Sequence, residues 1–134
     1  MPSPEHRNAS CSCGELRAAV TGEPMRVSVC HCLACQRRTG SVFGAQARFP
    51  KESVTVQGAF NQYVRVADSG RRITFGFCPK CGSTVFYTIE DQPDRVAIPV
   101  GAFADPKFQN PAFSVYESRK HAWVHIAAEV EHAA

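Results

Sequence analysis

The sequence predicts a small, mainly β protein with one short helical segment. Alternation of apolar and polar residues with a period of two recurs along the 134 residues, whereas a helical period occurs only once. Gly, Pro, Asp and Asn interrupt the alternation at short intervals, as they do between strands. Seven cysteines lie in three short clusters at the ends of these segments, so we expect more than an apolar core to hold the strands together.

Eight segments have the polarity pattern and the flanking turn residues of strands. They are Gly14–Thr21, Arg26–Cys30, Val42–Phe49, Val54–Gln57, Phe60–Val66, Arg71–Phe77, Thr84–Ile89 and Arg95–Val100. We expect the first two to pair across residues 22–24, and Asp68-Ser69-Gly70 to turn a hairpin. Leu33–Thr39 (LACQRRT) predicts a short helix that ends at Gly40, a residue suited to a left-handed cap.

The C-terminal third is expected to be less regular. Residues 101–111 predict a loop, and a last strand or extended tail follows over Phe113–Glu117 and His121–Ile126. Ala127–Ala134 predicts a weakly helical end. No internal repeat or linker divides the sequence, so we expect one domain over residues 1–134, with a core from about residue 11 to 126.

Composition excludes several classes of protein. The formal charge is +3, and no basic run of the kind found in nucleic-acid arms occurs among the 15 Lys and Arg, so a nucleic-acid partner is disfavoured. No apolar run approaches the ~18 residues of a membrane span, and Met1–Ser10 lacks the apolar region of an export signal. We therefore expect a cytoplasmic protein whose clustered thiols are ligands or catalysts rather than disulfides. The sequence does not indicate an oligomeric state.

The segment Cys78-Pro79-Lys80-Cys81-Gly82 predicts a zinc knuckle. Two thiolates two residues apart can bind one ion from a tight turn, and the following glycine lets the backbone curl around them. A redox role for this C-x-x-C is disfavoured, because a thioredoxin-like site would begin a helix and the flanks here are strands. Cys11 and Cys13 can supply two more thiolates and complete a closed site. A different partition, in which Cys30 or Cys32 joins the knuckle, satisfies the same count.

Cys30, Cys32 and Cys35 place three thiolates within six residues. Such a group can bind one ion and leave a coordination position open, and a thiolate-rich zinc suits the presentation of another thiolate. His31 is expected to point away from its neighbours and to support the ligands or lie at the surface, because side chains alternate along a strand. His121 and His125 could donate one late ligand but are expected at the surface.

The strings CSCG, VCHCLACQRRTGS, FCPKCGSTVFY, GAFADP and HAWV together resemble the glutathione-dependent formaldehyde-activating enzyme family, also called the centromere-protein-V-like family. The resemblance spans residues 11 to 126 and implies a small zinc-bearing β-tent fold of coiled antiparallel sheets with one short helical turn. It also implies two zinc ions. The structural ion would lie on Cys11, Cys13, Cys78 and Cys81, and the catalytic ion, the more labile one, on Cys30, Cys32 and Cys35.

The resemblance further implies carbon–sulfur lyase chemistry, in which a small thiol such as glutathione adds to formaldehyde or a related aldehyde. Because glutathione carries carboxylates, Arg37, Arg38 and Arg48 are candidates to anchor them. No histidine or carboxylate stands out as a general base. The alternative is a zinc-stabilised binding module for a protein or nucleic-acid partner, with two inert, four-coordinate ions.

Overall fold

The computed structural model describes residues 6–127 and 129–134, and these residues form a mainly β structure with one α-helix. The mainly β class expected from the sequence is confirmed. Residues 1–5 and residue 128 lie outside the described residues. The first belong to the N-terminal segment in which no export signal is expected, and residue 128 belongs to the predicted helical end. The single-domain organisation over residues 1–134 stays a prediction.

The strands are β1 His6–Ser10, β2 Arg17–Thr21, β3 Arg26–Cys30, β4 Gly44–Pro50, β5 Val54–Gln57, β6 Asn61–Val66, β7 Arg72–Phe77, β8 Thr84–Ile89, β9 Gln92–Pro99, β10 Phe113–Val115 and β11 Glu131–His132. The helix α1 covers Leu33–Thr39, and single turns of 3₁₀-helix cover Lys51–Ser53, Val100–Phe103 and Glu117–Arg119. No helix among the described residues is both long and apolar enough to cross a membrane.

The strands form two open sheets. The small sheet has the order β1-β2-β5, and the large sheet has the order β11-β10-β3-β4-β9-β8-β7-β6. β10 runs parallel to both of its neighbours, β3 and β11, whereas the other strand pairs of the described residues are antiparallel. Within the described residues, neither sheet closes on itself.

The main apolar core lies between the two sheets. Leu16 and Val20 from the small sheet's side pack in one buried cluster with Phe49 and Ile98 of the large sheet. Cys78 belongs to the same cluster and is fully buried. The metal-binding pattern at this cysteine is therefore part of the core rather than an addition to the surface.

β4 of the large sheet presents apolar side chains on one face and polar side chains on the other. In β4, Ala47 and Phe49 belong to the apolar core, whereas Gln46 and Arg48 line a cavity on the opposite side. Successive side chains of a strand point to opposite faces, so the same strand supports the core and presents polar groups to the cavity. The fold thus separates a structural face from a polar one.

Local sequence signals predicted α1 and one hairpin correctly. The helix has the predicted bounds, with the side chain of Cys32 as N-cap, because its Sγ accepts the Cys35 N–H at 3.3 Å. Gly40 adopts φ +72° and donates its N–H to the Gln36 carbonyl at 2.8 Å, as a left-handed cap does. β6 and β7 pair antiparallel on either side of the Asp68-Ser69-Gly70 turn, which confirms the hairpin.

The predicted pairing of β2 with β3 is wrong. β2 lies between β1 and β5 in the small sheet, and β3 lies between β10 and β4 in the large sheet. β1 is absent from the predicted strands because its sequence does not alternate between apolar and polar residues. Ala9 is its one buried residue. Gly22, at φ +80°, turns the chain between the two sheets rather than back along β2.

The predicted helical end is also wrong. β11 pairs in parallel with β10, and the N–H groups of Glu131 and Ala133 donate to the carbonyls of Ala112 and Ser114, both at 2.9 Å. A short isolated helix is marginal in water, whereas the free edge of β10 offers backbone partners at once. Residues 121–126, expected as a strand or extended tail, contain a turn closed by the Val124 N–H on the His121 carbonyl at 3.0 Å.

Gly58 packs closely against the segment after Cys13. It adopts φ +102°, and a Cβ there would overlap the backbone carbonyl of Glu15. We expect Gly58→Ala to lower the free energy of unfolding by about 3 kcal/mol or more, because overlap with backbone adds to the strain of a left-handed conformation. Gly70→Ala is the matched control, since Gly70 has φ +88° with no atom within 4 Å of the new Cβ.

We expect the control to lose only about 1–2 kcal/mol, the cost of the backbone conformation alone. Urea unfolding of both metal-loaded variants measures the difference. Equal losses would contradict the close approach at Gly58.

Candidate metal centres and active site

Two distant chain segments bring four cysteines together. The sulfur atoms of Cys11, Cys13, Cys78 and Cys81 all lie within 4.8 Å of one another. The Cys13 Sγ is 3.6 Å from the Sγ atoms of both Cys11 and Cys78. All seven cysteines of the chain are free thiols, so the clusters are not disulfides. The structure therefore brings together the same four cysteines that the family resemblance implied as one site.

Both halves of this group are built in the same way. After the second cysteine of each half, a glycine turns the chain in a left-handed conformation, with φ +86° at Gly14 and +79° at Gly82. Gly14 donates its N–H to the Cys11 carbonyl at 3.2 Å, and Gly82 donates to the Cys78 carbonyl at 2.9 Å. Each turn aims two sulfurs at the same point, which is the arrangement of a zinc knuckle.

Backbone amides face the sulfur atoms. The Leu16 N–H donates to the Sγ of Cys11 at 3.2 Å, and the Lys80 N–H donates to the Sγ of Cys78 at 3.4 Å. Hydrogen bonding with the side chain and backbone of Ser83 lowers the pKa of Cys81 to about 5. Such contacts favour thiolates, which are the form that binds metal. The four-cysteine group can hold a metal ion with all its coordination positions filled by protein.

A second group contains three cysteines, with no fourth ligand among the residues that the structure describes. The sulfur atoms of Cys30, Cys32 and Cys35 lie within 4.8 Å of one another. Cys30 ends β3, Cys32 caps α1, and Cys35 lies in the first helical turn. All three residues line one cavity. A metal ion in this group would have three protein ligands and one side open to the cavity.

The electrostatics of the second group favour a thiolate at Cys35. The hydrogen bond from Cys30, together with the cations Arg38 and Arg65, lowers the pKa of Cys35 to about 5. The same hydrogen bond and burial raise the pKa of Cys30 above its usual range. Arg38 and Arg65 therefore help to stabilise a negative charge on the Cys35 sulfur without a metal ion.

The cavity beside the three cysteines has a volume of about 560 Å³, which is within the ~300–1,000 Å³ range of small-molecule sites. One acidic residue, Asp68, is among its lining residues. Six arginines converge on it from β3, α1, β4, β6, the β6–β7 turn and the 3₁₀ turn near the C-terminus: Arg26, Arg38, Arg48, Arg65, Arg71 and Arg119. The cavity is strongly cationic and suits an anionic ligand.

Two of the three arginines proposed from the sequence line this cavity. Arg38 and Arg48 do so, whereas Arg37 is exposed on α1 and does not. Sequence reasoning missed the other four, yet one signal was available. Arg26 lies four residues before Cys30 in β3, so the period of two places both side chains on one face.

The histidines stay outside both cysteine groups. His31 is fully buried, and its Nε2 lies 2.9 Å from the Oγ of Ser114, so it is not a surface residue. Burial lowers the pKa of His31, which keeps the ring neutral. His121 is exposed and lies 3.0 Å through its Nε2 from the Oε1 of Gln36, and His125 is also exposed.

One solved structure shows the same fold. The chain is similar to a Rhodobacter sphaeroides protein of known crystal structure, with a TM-score of 0.57 and 21% sequence identity over 78% of this chain and 91% of that chain. At this identity the likeness concerns the fold alone. No curated protein matches the chain significantly.

The sequence itself identifies the family. The family model described as glutathione-dependent formaldehyde-activating enzyme matches residues 6–119. The match contains both cysteine groups and all six cavity arginines, so the resemblance read from the cysteine motifs is confirmed. The chain belongs to the family of glutathione-dependent formaldehyde-activating enzymes.

Proposed function

We propose that this protein is a zinc-dependent enzyme of the carbon–sulfur lyase type, acting on the adduct of glutathione or another small thiol with formaldehyde or a related aldehyde. The observation that carries the proposal is the opening of a three-cysteine group into an arginine-lined cavity. Family membership supports the same chemistry.

Zinc suits both cysteine groups, because it takes thiolate ligands in a tetrahedral arrangement. The closed group would hold a structural ion on Cys11, Cys13, Cys78 and Cys81. The open group would hold a more labile catalytic ion on Cys30, Cys32 and Cys35. Bound there, zinc would supply a position that favours the thiolate form of the substrate thiol.

Arg38 and Arg65 provide positive charge beside the reacting atoms. Their guanidinium groups lie 5.2 Å and 5.4 Å from the ring centroid of Phe75, and both favour negative charge at Cys35. Gly44 keeps the space between Arg38 and Cys35 open, since a Cβ there would lie 3.3 Å from the Arg38 guanidinium. We assign to Arg38 an N–H bond to the aldehyde oxygen, which gains negative charge in the transition state.

The bond changes balance without a redox partner. In the direction of synthesis, a bond forms between the thiol sulfur and the carbonyl carbon, and the carbonyl double bond becomes a single C–O bond. The thiol gives its proton to water, and the oxygen takes one proton from water, so the number of protons is unchanged. The reverse reaction breaks the carbon–sulfur bond and returns thiol and aldehyde. Because the proton exchange passes through water, no side chain of the cavity is required as a general acid.

Cobalt substitution tests the proposal. We expect two cobalt ions per chain, and we expect glutathione to change the absorption of one of them, because a substrate thiolate would enter the open position. The protein should also accelerate the formation of S-hydroxymethylglutathione, followed by NMR against the uncatalysed reaction. A spectrum that ignores glutathione, together with no acceleration, would contradict the proposal and favour an inert zinc-stabilised binding module.

We also propose a cytoplasmic location, since free thiols in metal-binding groups suit a reducing compartment. Two ions per chain would persist there only if the thiols stay reduced. Oxidation of the purified protein should therefore release metal, which a chromogenic chelator would detect.

A further inference from the structure

A series of hydrogen bonds joins the C-terminal strand to the peptide between two cysteines of the open group. The Nε2 of His31, the residue after Cys30, lies 2.9 Å from the Oγ of Ser114. The Ser114 hydroxyl donates to the Oε2 of Glu117 at 2.7 Å, and the same oxygen accepts the Nδ1–H of His132 at 2.7 Å. These four side chains, from His31 to His132, are called the C-terminal hydrogen-bond chain below.

The donors and acceptors fix the proton positions in this chain. His31 and Ser114 are both 0% exposed, so water does not supply a partner to either. Because the Ser114 proton is donated to Glu117, the Ser114 oxygen accepts the Nε2–H of the neutral His31 ring. Hydrogen bonds from His132 and Ser114 lower the pKa of Glu117, so its carboxylate is ionised and acts as an acceptor. The bonds therefore run in one direction, from His31 to the carboxylate.

His31 is held through its backbone as well as its ring. Its N–H donates to the Val115 carbonyl at 3.0 Å, and its carbonyl accepts the Nε2–H of Gln36 at 2.9 Å. Cys30 and Cys32 both line the cavity, whereas His31 does not, as expected where side chains alternate along an extended chain. Rotation of the peptide at His31 would therefore turn the two sulfur atoms away from a common ion.

The position of Glu117 is fixed by a strained turn and by β11. Tyr116 has a left-handed backbone with φ +57°, and this turn returns the Glu117 carboxylate to Ser114. A residue other than glycine keeps such a conformation only where the surrounding structure holds it. The Glu117 N–H donates to the Ala133 carbonyl at 2.9 Å, and the Ala133 N–H donates to the Ser114 carbonyl at 2.9 Å. β11 therefore holds both residues that connect to His31.

A buried polar chain of this kind is stable only when all its members are paired. Loss of Glu117 would leave the Ser114 hydroxyl without its acceptor, and loss of Ser114 would leave the His31 Nε2–H without one. The buried groups would then move to find other partners, and the movement would reach the peptide between the two cysteines. Loss of a residue that orients metal ligands through hydrogen bonds typically weakens metal binding by about 10- to 100-fold.

We propose that Ser114 and Glu117 are positioning residues that act through His31 to hold the open cysteine group in its metal-binding arrangement. The closed four-cysteine group contains no member of the C-terminal hydrogen-bond chain, so its affinity for metal is independent of these residues. The inference rests on the function proposed above only in that it requires a metal ion on the open group.

Competition for zinc with a chromogenic chelator tests the positioning role without any turnover. The zinc-loaded protein should release its two ions in two steps, and the step that is missing from Cys32→Ser belongs to the open group. We expect Glu117→Ala to lower the zinc affinity of the open group by at least about 10-fold and to leave that of the closed group unchanged. Ser114→Ala should have the same effect and provides a second variant, which breaks the chain at its buried end.

Two further variants are matched to Glu117→Ala. Glu117→Gln keeps an oxygen that can accept hydrogen bonds from both Ser114 and His132, so most of the zinc affinity should return. Glu131→Ala removes an exposed carboxylate of β11 that is not part of the C-terminal hydrogen-bond chain, so both zinc affinities should equal those of the wild type. In the cobalt-loaded protein, Glu117→Ala should shift the thiolate-to-metal absorption of the open group alone.

Unchanged zinc affinity of the open group in Glu117→Ala, equal losses at both cysteine groups, or an equal loss in Glu131→Ala would overturn the positioning role. Equal losses in Glu117→Gln and Glu117→Ala would also overturn it, because the negative charge rather than the hydrogen bond would then carry the effect.

These outcomes are distinct from a failure of the proposed reaction. Zinc binding that is weakened in Glu117→Ala, in a protein that does not accelerate the thiol–aldehyde addition, would retain the positioning residues and contradict the function. An active protein whose zinc affinity is unchanged in Glu117→Ala would retain the function and contradict the positioning role.

Discussion

Replacing Cys78 with serine is expected to prevent the chain from folding. Cys78 is fully buried in the cluster that joins the two sheets, and its sulfur lies 3.6 Å from that of Cys13. A structural zinc site contributes on the order of 10 kcal/mol to folding, which is similar to the total stability of about 5–15 kcal/mol for a small domain. Loss of one of four ligands therefore removes enough free energy to unfold the protein.

Topology is a second reason why the Cys78→Ser variant is expected not to fold. The four-cysteine group joins residues 11–13 to residues 78–81, and through them the small sheet to the far half of the large sheet. Without it, the contact between the sheets depends on a modest apolar core. The prediction is measured by far-ultraviolet circular dichroism and by metal content on the purified variant.

Lys80→Ala is the matched control for Cys78→Ser. Lys80 lies in the same turn, and its side chain forms an exposed ion pair with Glu15 at 2.6 Å. Exposed pairs contribute little, so this variant should fold and keep two metal ions. A Cys78→Ser protein that folds with wild-type metal content and an unchanged urea midpoint would refute a structural role for the four-cysteine group.

The parts of the fold predicted from sequence are those whose signals are local. Cys32 and Gly40 bracket α1 within nine residues, and the Asp68-Ser69-Gly70 turn lies between two alternating strands. In both places the residues that specify the structure are close in sequence to the residues that adopt it. The seven cysteines belong to the same class, because metal-ligand spacing is itself a local pattern.

The parts that sequence could not supply depend on partners far along the chain. β1 is polar and was not predicted, because its strand conformation comes from pairing with β2 rather than from its own alternation. β11 forms on β10 in the same way. Strand pairing of this kind is fixed by tertiary context, so the sequence pattern of β2 and β3 indicates a hairpin although the two strands lie in different sheets.

The cavity arginines show the same limit for the site. Arg26 and Arg48 become neighbours only because β3 and β4 pair in one register, and Arg71 joins them from the β6–β7 turn. The sequence offers Arg48 as a candidate and places Arg26 on the same strand face as Cys30, but it does not show that either residue meets Arg71. The sequence predicted both cysteine groups and two of the cavity arginines, whereas the full set of six arginines around one cavity appears only in the folded sheet.

Replacing Cys32 with serine is expected to abolish catalysis while leaving the fold intact, the opposite of Cys78→Ser. Serine is a good N-cap, so its hydroxyl can accept the Cys35 N–H that the Cys32 sulfur accepts at 3.3 Å. Cys32 is also only partly buried, so the apolar core loses nothing. The variant should bind one metal ion instead of two and melt close to the wild-type temperature.

The rate of S-hydroxymethylglutathione formation should fall on the order of 10³-fold or more in this variant. A metal ion that stabilises developing charge contributes several kcal/mol, and each 1.36 kcal/mol changes the rate about tenfold.

Cys32→Ala separates the metal-binding role of this residue from its role as the helix cap. It should lose the same activity and the same metal ion, but it should also lose about 1 kcal/mol of stability with the helix cap. Retention of two ions and full activity in Cys32→Ser would mean that the open cysteine group does not hold the catalytic metal, whereas loss of one ion with full activity would place the chemistry elsewhere in the cavity.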